Sequence, residues 1–108
     1  DMIIGKNSIV MHQALVNRQV SLGDNVIINT KALIEHGVCI GDHTCVSTGA
    51  MINGDCRIGK SVFIGSGAVL NQGLIIPNNT VIAAGAVVIE TPEQSGLYAG
   101  CPAKRKGD

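Results

Sequence analysis

Aliphatic residues recur along this chain at an interval of six, without a break, from Ile4 to Val88. The fifteen positions are all Ile, Leu or Val: Ile4, Val10, Val16, Leu22, Ile28, Ile34, Ile40, Val46, Ile52, Ile58, Ile64, Leu70, Ile76, Ile82 and Val88. An amphipathic helix repeats near 3.6 residues and a strand at two, so neither element alone explains the interval. Because six is a multiple of two, the spacing predicts short strands separated by regular turns, as in a parallel β-helix of hexapeptides.

A second inward column follows four residues after each aliphatic position and consists mostly of small side chains, from Ser8 to Ala86. Small residues suit a narrow interior beside each corner of a prism. Gly or Asn often follows the aliphatic residue directly, as at Gly5 and Asn17, and we expect these residues to adopt the positive φ of the turns. Three faces make one triangular coil, so residues 1–90 predict an all-β prism of about five stacked coils.

Composition narrows the class of protein. The chain has 108 residues, a formal net charge of zero, one Phe and one Tyr. A zero net charge gives no electrostatic reason to expect nucleic acid or an anionic membrane as a partner. No apolar run approaches the roughly 20 residues of a spanning helix, and no signal-like segment occurs, so we expect a cytoplasmic protein. Residues 91–108 leave the repeat, and we expect a C-terminal loop or short cap there.

Candidate chemistry rests on histidine, because the four cysteines form no C-x-x-C pair and no Cys/His cluster at zinc spacing. We therefore expect reduced structural thiols and no metal site. His12, His36 and His43 are the side chains suited to proton transfer near neutral pH. His36 and His43 fall on neighbouring faces, separated by the width of a face. A site made from both would need a second subunit to complete it.

The segment NTKALIEH, residues 29–36, is the most specific motif of the chain and has the form N-T-x-A-x-[IV]-[ED]-H. Through this motif, the repeat along essentially the whole chain and the terminal GCPAK, the sequence resembles hexapeptide acyltransferases that acetylate nucleotide-linked amino sugars or sialic acid. The resemblance implies a left-handed β-helix and a homotrimer with its sites between subunits. It also implies acetyl-CoA as co-substrate and an amino sugar, linked to a nucleotide, as the acceptor.

The resemblance assigns roles to individual residues. His36 would be the general base, and the backbone N–H of Gly54 would hold the oxyanion. Gly54 follows His36 by eighteen residues, so the repeat itself predicts that it stacks one coil above the histidine. Family members usually carry an acidic residue directly after the histidine, where this chain has Gly37. We expect Asn29, or Glu35 from a neighbouring chain, to orient the ring instead.

The resemblance also implies a path for the coenzyme, with its thioester at Gly54 and its adenine end near the last coils. The residues expected to contact that end are Ala84, Gly85, Pro102, Lys104 and Arg105, with Lys104 or Arg105 facing the phosphates.

Two other functions stay open from the sequence. Gly37, together with the absence of the α/β acceptor domain of full-length family members, is compatible with a non-catalytic trimeric interaction module. Acetyltransferases of another acceptor class, such as serine or a simple sugar, also share the repeat. We favour the amino-sugar enzyme and expect the chain to be its C-terminal half, without the domain that binds the sugar nucleotide.

Overall fold

The computed structural model describes residues 2–107, which contain short strands in three sheets and no helix. Sheet A contains five parallel strands: β1 (Ile3–Ile4), β4 (Ser21–Leu22), β7 (Cys39–Ile40), β10 (Arg57–Ile58) and β13 (Ile75–Ile76). Sheet C also contains five parallel strands: β3 (Leu15–Val16), β6 (Leu33–Ile34), β9 (Met51–Ile52), β12 (Val69–Leu70) and β15 (Val87–Val88). Sheet B contains seven strands: β2 (Ile9–Val10), β5 (Ile27–Ile28), β8 (Cys45–Val46), β11 (Phe63–Ile64), β14 (Val81–Ile82), β16 (Leu97–Ala99) and β17 (Lys104–Lys106).

The repeat predicted from the sequence is the repeat of the fold. Strands β1–β15 begin six residues apart and visit sheets A, B and C in turn, so three consecutive strands form one coil. Neighbouring strands of a sheet pair in parallel with a register of eighteen residues, as Ile4 with Leu22 and Ile34 with Ile52. Five coils therefore stack, and equivalent corners of successive coils lie one above another.

The core is the column of aliphatic anchors, which are the second residues of the strands. Ile28, Ile34, Ile52 and Ile64 are fully buried, and the small-residue column beside them, which includes Ala50, is buried as well. Burial of one such aliphatic side chain contributes about 1.5–3 kcal/mol. The anchors of the first coil are less covered, since Ile4 is 45% and Val10 40% exposed.

The turns differ from the sequence expectation. Positive φ occurs three residues after each anchor from Ile4 to Ile82 instead of one, and nine of these left-handed residues are not glycine, including Lys31 at φ 62°. A glycine directly after the anchor serves a different need. A Cβ atom added at Gly41 would lie 2.8 Å from the carbonyl carbon of Gly59 in the next coil. Close approach of successive coils, and not backbone conformation, therefore excludes a side chain there.

Residues 91–107, expected as a loop or short cap, include two further strands. Strand β16 extends sheet B in parallel to β14, and β17 returns antiparallel to β16. Tyr98 pairs with Ile82 and is buried, and its hydroxyl donates a hydrogen bond to the Gln94 carbonyl at 2.7 Å. The aromatic ring thus continues the buried column of sheet B beyond the last coil.

The outward faces of the three sheets differ in polarity. The outward residues of sheet C are all aliphatic or Met: Leu15, Leu33, Met51, Val69 and Val87. Those of the five coil strands of sheet B are apolar apart from the thiol of one cysteine: Ile9, Ile27, Cys45, Phe63 and Val81. The basic strand β17 lies at the edge of the sheet, beyond these strands. The outward row of sheet A is less apolar, because it contains Ser21 and Arg57. Sheets B and C are therefore the faces that an associated subunit would cover with the largest hydrophobic gain.

Candidate active site at the corner between sheets C and A

His36 follows β6 at the corner where the chain turns from sheet C to sheet A. The corresponding segments of four successive coils make up this histidine corner: residues 17–19, 35–37, 53–55 and 71–73. Because the coils stack in register, residues eighteen apart fall in one column. One column contains Asn17, Glu35, Asn53 and Asn71, and its neighbour contains Arg18, His36, Gly54 and Gln72.

An open cavity of about 420 Å³ lies on the histidine corner, lined by Glu35, His36, Asn53, Gly54, Asn71 and Gln72. Glu35, His36 and Gly54 were expected as site residues from the repeat and the motif, whereas the other three were not. Asn53, Asn71 and Gln72 could have been found by counting, because the eighteen-residue register stacks them over Glu35 and His36. Glu35 is the only Asp, Glu, Lys or Arg in this lining.

The structure brings the predicted base and the predicted oxyanion donor together. A Cβ atom added at Gly54 would lie 3.4 Å from Cε1 and 3.7 Å from Nδ1 of the His36 ring. Gly54 is buried whereas His36 is exposed, and the ring nitrogens of His36 have no hydrogen-bond partner within residues 2–107. The ring thus lies against the bare backbone of Gly54 and keeps its nitrogens available to a ligand.

The side chain of Asn53 leaves the N–H of Gly54 available. Asn17, two coils below in the same column, and Asn29, at the equivalent position of another corner, use Oδ1 to accept the N–H of the following residue, at 2.8 and 3.0 Å. Asn53 instead donates from Nδ2 to the Leu70 carbonyl at 2.7 Å. Within the described part of the chain, neither the Gly54 N–H nor the Asn53 Oδ1 has a hydrogen-bond partner.

Glu35 is held in place by the coil below. Nδ2 of Asn17 donates a hydrogen bond to Glu35 Oε1 at 3.0 Å, and Glu35 is half-buried. Its second carboxylate oxygen, Oε2, forms no hydrogen bond or ion pair with any residue from 2 to 107. Glu35 also lines the cavity of His36 in its own chain. That Glu35 of a neighbouring chain orients the ring stays a prediction.

The turn after His36 has little room for the acidic side chain that the family resemblance implies at position 37. Gly37 has φ +75°, and a Cβ atom added there would collide with the Oδ1 atom of Asp55 in the next coil. Asp55 is also linked to the histidine backbone, since its N–H donates to the His36 carbonyl at 3.0 Å. The carboxylate beside this turn therefore comes from one coil above, and a side chain at position 37 would displace it.

Asn29 lies at a different corner, between sheets B and C, so one chain does not bring it to His36. Its Oδ1 accepts the N–H of Thr30. His12 occupies the same corner as Asn29, one coil lower, and His43 occupies the third corner, where its Nδ1 lies 3.2 Å from Nδ2 of Asn25.

The residues expected to contact the coenzyme lie two coils beyond Gly54. Ala84 and Gly85 are exposed at the corner between sheets B and C of the last coil. Pro102 is exposed just before β17, and Lys104 and Arg105 line a second cavity of about 320 Å³ together with Glu90 and Glu93. Arg105 Nε donates to the Ser95 carbonyl at 3.3 Å. These residues are thus grouped at the end of the prism, apart from the cavity of His36.

All four cysteines are free thiols, and none lines the cavity of His36. Cys56 is fully buried, its Sγ donates to the Asn71 carbonyl at 3.0 Å, and burial raises the pKa of this thiol above its ordinary value. Within residues 2–107 no group of three or more His, Cys, Asp or Glu could hold a metal ion. Nor does that part of the chain form a helix of the length and apolarity that a membrane crossing requires.

Comparison with known proteins agrees with the repeat and the fold. Residues 55–90 match the family model of the bacterial transferase hexapeptide (six repeats). The acetyltransferase domain of PglB from Neisseria gonorrhoeae FA1090, also solved in complex with acetyl coenzyme A, is 35% identical with a TM-score of 0.95. That match covers 97% of this chain and 51% of the PglB chain, so the present chain spans about half of that relative. No curated protein sequence matches.

Two further solved structures share the architecture. AntD, an N-acyltransferase from Bacillus cereus, has a TM-score of 0.90 at 17% identity over 97% of this chain and 73% of its own, which shows the fold alone. PerB from Caulobacter crescentus, in complex with CoA and GDP-perosamine, has a TM-score of 0.61 at 25% identity over 97% and 58%. By its unbroken six-residue repeat, its stacked coils and these similarities, the chain has the left-handed β-helix fold of hexapeptide-repeat acyltransferases.

Proposed function

We propose that the chain is the acyl-transfer unit of an acetyl-CoA-dependent acetyltransferase whose acceptor is an amino group on a nucleotide-linked sugar. The observation that carries the proposal is the unpaired N–H of Gly54, a residue that adjoins the His36 ring at an open cavity. A base and an oxyanion donor on either side of one reacting carbon are the minimum that direct acyl transfer requires. Support for acetyl transfer comes from the similarity to the acetyltransferase domain of PglB, and support for the acceptor comes from PerB with its bound GDP-perosamine.

The chemistry follows from that arrangement. His36 takes a proton from the acceptor nitrogen, and the nitrogen lone pair attacks the thioester carbonyl carbon. The carbonyl oxygen gains negative charge, which the Gly54 N–H stabilises by a hydrogen bond. When the tetrahedral intermediate collapses, the C–S bond breaks and the coenzyme A thiolate takes a proton from the protonated His36. The amine is acetylated without a covalent enzyme intermediate, in keeping with the absence of cysteine from the cavity lining.

The proposal includes a homotrimer. The apolar outward faces of sheets B and C adjoin at one corner, so a threefold arrangement can pack sheet C of one copy against sheet B of the next and bury both. The histidine corner borders sheet C and would then lie at the rim of the interface. Phe63 on sheet B, 44% exposed, and Met51 on sheet C, 43% exposed, are large side chains that such packing would cover.

For the coenzyme we propose a position along this rim, with the thioester at Gly54 and the adenine end beside the tail. Ala84 and Gly85 lie across sheet C from this rim in the same chain, so they are outside the proposed position. In that position Lys104 or Arg105 would face the phosphates. Two basic residues at the end of the prism, two coils above the reacting carbon, match an extended ligand better than a compact one. A cytoplasmic location, where acetyl-CoA is available, stays a prediction.

The test is release of free thiol from acetyl-CoA in the presence of a panel of acceptors that includes GDP-perosamine, dTDP-4-amino-4,6-dideoxyglucose, serine and glucosamine. We expect thiol release with at least one nucleotide-linked amino sugar and little with serine. Absence of acceptor-dependent release from the whole panel would refute the enzymatic proposal and favour the non-catalytic trimeric module.

A binding experiment on the same protein compares its affinity for acetyl-CoA with its affinity for the sugar nucleotide. The cavity of His36 is open and its lining comes from three coils of one corner, which is little surface for a nucleotide-linked sugar. We expect calorimetry to detect acetyl-CoA at lower concentration than the sugar nucleotide. Tight binding of the sugar nucleotide by these 108 residues alone would contradict that expectation.

A further inference from the structure

We propose that the cavity binds the acceptor in its protonated, ammonium form, held by Glu35 and the Asn53 side chain beside His36. This inference rests on the proposed acetyl transfer and adds to it the chemical group that the cavity selects. It also separates N-acetylation from O-acetylation on structural grounds, because an ammonium group and a hydroxyl place different demands on their binding site.

The charge of the cavity comes from a single residue. Glu35 is the only Asp, Glu, Lys or Arg in the lining, and its Oε2 atom is unpaired within residues 2–107. The Asn17 amide fixes the other oxygen at 3.0 Å without neutralising the carboxylate. One oxygen of this half-buried carboxylate accepts a hydrogen bond, and the other has no partner in the described part of the chain. Such a carboxylate binds a cation more strongly than an uncharged hydroxyl, because the hydrogen bond to a cation is charge-assisted.

The neighbouring residues of the cavity supply further acceptors. Since Asn53 commits its Nδ2 to the Leu70 carbonyl at 2.7 Å, the atom it can offer to a ligand is Oδ1, which only accepts. The neutral ring of His36 offers a third acceptor nitrogen. An ammonium group has three N–H donors, whereas a hydroxyl has one. Three acceptors around one donor-rich cation would satisfy all of its hydrogen bonds, and a hydroxyl would leave most of them unused.

The proton balance fits this mode of binding. The acceptor enters with three protons on nitrogen and leaves as an amide with one. His36 takes the first proton, which later passes to the sulfur when the C–S bond breaks and the thiol forms. The second proton leaves the nitrogen after it has bonded to the carbonyl carbon and is released to solvent. Thus one ammonium and one thioester give one amide, one thiol and one proton.

The inference is tested by comparing two ligands that differ only at the reacting group. We suggest GDP-perosamine and the same sugar nucleotide with a hydroxyl in place of the amine, titrated by NMR in the presence of coenzyme A at a pH where the amine is protonated. The measured quantity is the ratio of the two dissociation constants. For the wild-type protein we expect the amine to bind about tenfold or more tightly, the contribution of one charge-assisted contact.

The decisive variant is Glu35→Gln, which keeps an oxygen for the Asn17 amide and removes the charge. We expect the preference for the amine to fall to about twofold or less, while the affinity for the hydroxyl ligand and for acetyl-CoA stays unchanged. Glu93→Gln, which removes a carboxylate from the second cavity, is the matched control and should keep the full preference. A variant that merely perturbed the fold would weaken both ligands equally.

Two results would overturn the inference: equal affinity for amine and hydroxyl in the wild-type protein, or an unchanged preference in Glu35→Gln. Because the wild-type ratio needs no variant, it tests the inference even if Glu35→Gln does not fold. Because the readout is binding, it is also independent of turnover. Loss of all thiol release together with an intact preference would reject the proposed enzymatic function and leave the ammonium site standing.

Discussion

The His36 ring lies directly against Gly54 of the next coil, close enough that one added carbon on the glycine would contact Cε1 at 3.4 Å. No side chain separates the two residues, and the ring has no hydrogen bond within residues 2–107 to hold it elsewhere. The geometry of the proposed reaction therefore depends on the imidazole ring at position 36 and on the absence of a side chain at position 54.

Replacement of His36 by Ala should lower acetyl transfer by about 10²- to 10⁴-fold, the usual contribution of a general base. The fold should persist, because His36 is an exposed corner residue outside the aliphatic core. His12→Ala is the matched control, since His12 is an exposed histidine at a different corner. If His36→Ala kept half of the wild-type rate, His36 would have no catalytic role.

Gly54→Ala should lower kcat by about 10- to 100-fold, because its methyl group would fill the space between the glycine backbone and the His36 ring, and small misplacements of the bound thioester are costly. Gly54 does not have a positive φ, so alanine is compatible with its backbone and the melting temperature should change little. Gln72→Ala changes the same column one coil higher and serves as the comparison. A Gly54→Ala enzyme with normal kcat would show that the reaction does not need the bare glycine backbone beside the ring.

A charge on sheet C should weaken the trimer, whereas the same charge on sheet A should not. Met51→Lys places an ammonium group on the wholly apolar outward row, and Ile75→Lys places one on the row that already contains Arg57. Light scattering at micromolar concentration should show smaller species for the first variant and trimers for the second. A monomeric wild-type protein in the same measurement would contradict the trimer itself.

Cys56 should be the least reactive of the four thiols and should make stability depend on alkaline pH. Burial raises the pKa of the Cys56 thiol above its ordinary value of 9.0, so the folded chain keeps a proton that the unfolded chain releases. The free energy of unfolding should therefore be unaffected below about pH 9 and fall as the pH rises above it.

Urea unfolding at pH 8 and pH 10 measures this effect, and the Cys56→Ala variant should show a smaller loss between the two. Alkylation followed by mass spectrometry should modify the exposed Cys101 first. Early modification of Cys56 in the native protein would contradict its burial.

The coils could be predicted from the sequence because one period governs them. Ile34 and Ile52 are alike because the same inward position recurs every six residues, and the stacking of Gly54 over His36 follows by counting. The left-handed turn residues could not be predicted, since Lys31 and His43 adopt positive φ through the geometry of the corner and not through a preference of their own. The role of Asn53 could not be predicted either, because it depends on whether Nδ2 or Oδ1 of the side-chain amide faces the backbone.

The end of the chain shows the same limit. Tyr98 continues the buried column of sheet B although it falls outside the six-residue register, and the antiparallel return of β17 is not a repeat of anything before it. Each of these features depends on contacts made once, for which a periodic pattern carries no signal.

The exposed anchors of the first coil have a consequence for how the protein opens. In a stack where each coil touches only its neighbours, amide exchange proceeds by fraying from the least covered end, and Ile4 and Val10 mark that end. His36 lies in the second coil, so a single step of fraying already removes the Asn17 amide that pins Glu35. Any polypeptide that packs on the first coil would therefore slow amide exchange at the histidine corner, because it would keep Asn17 bonded to Glu35.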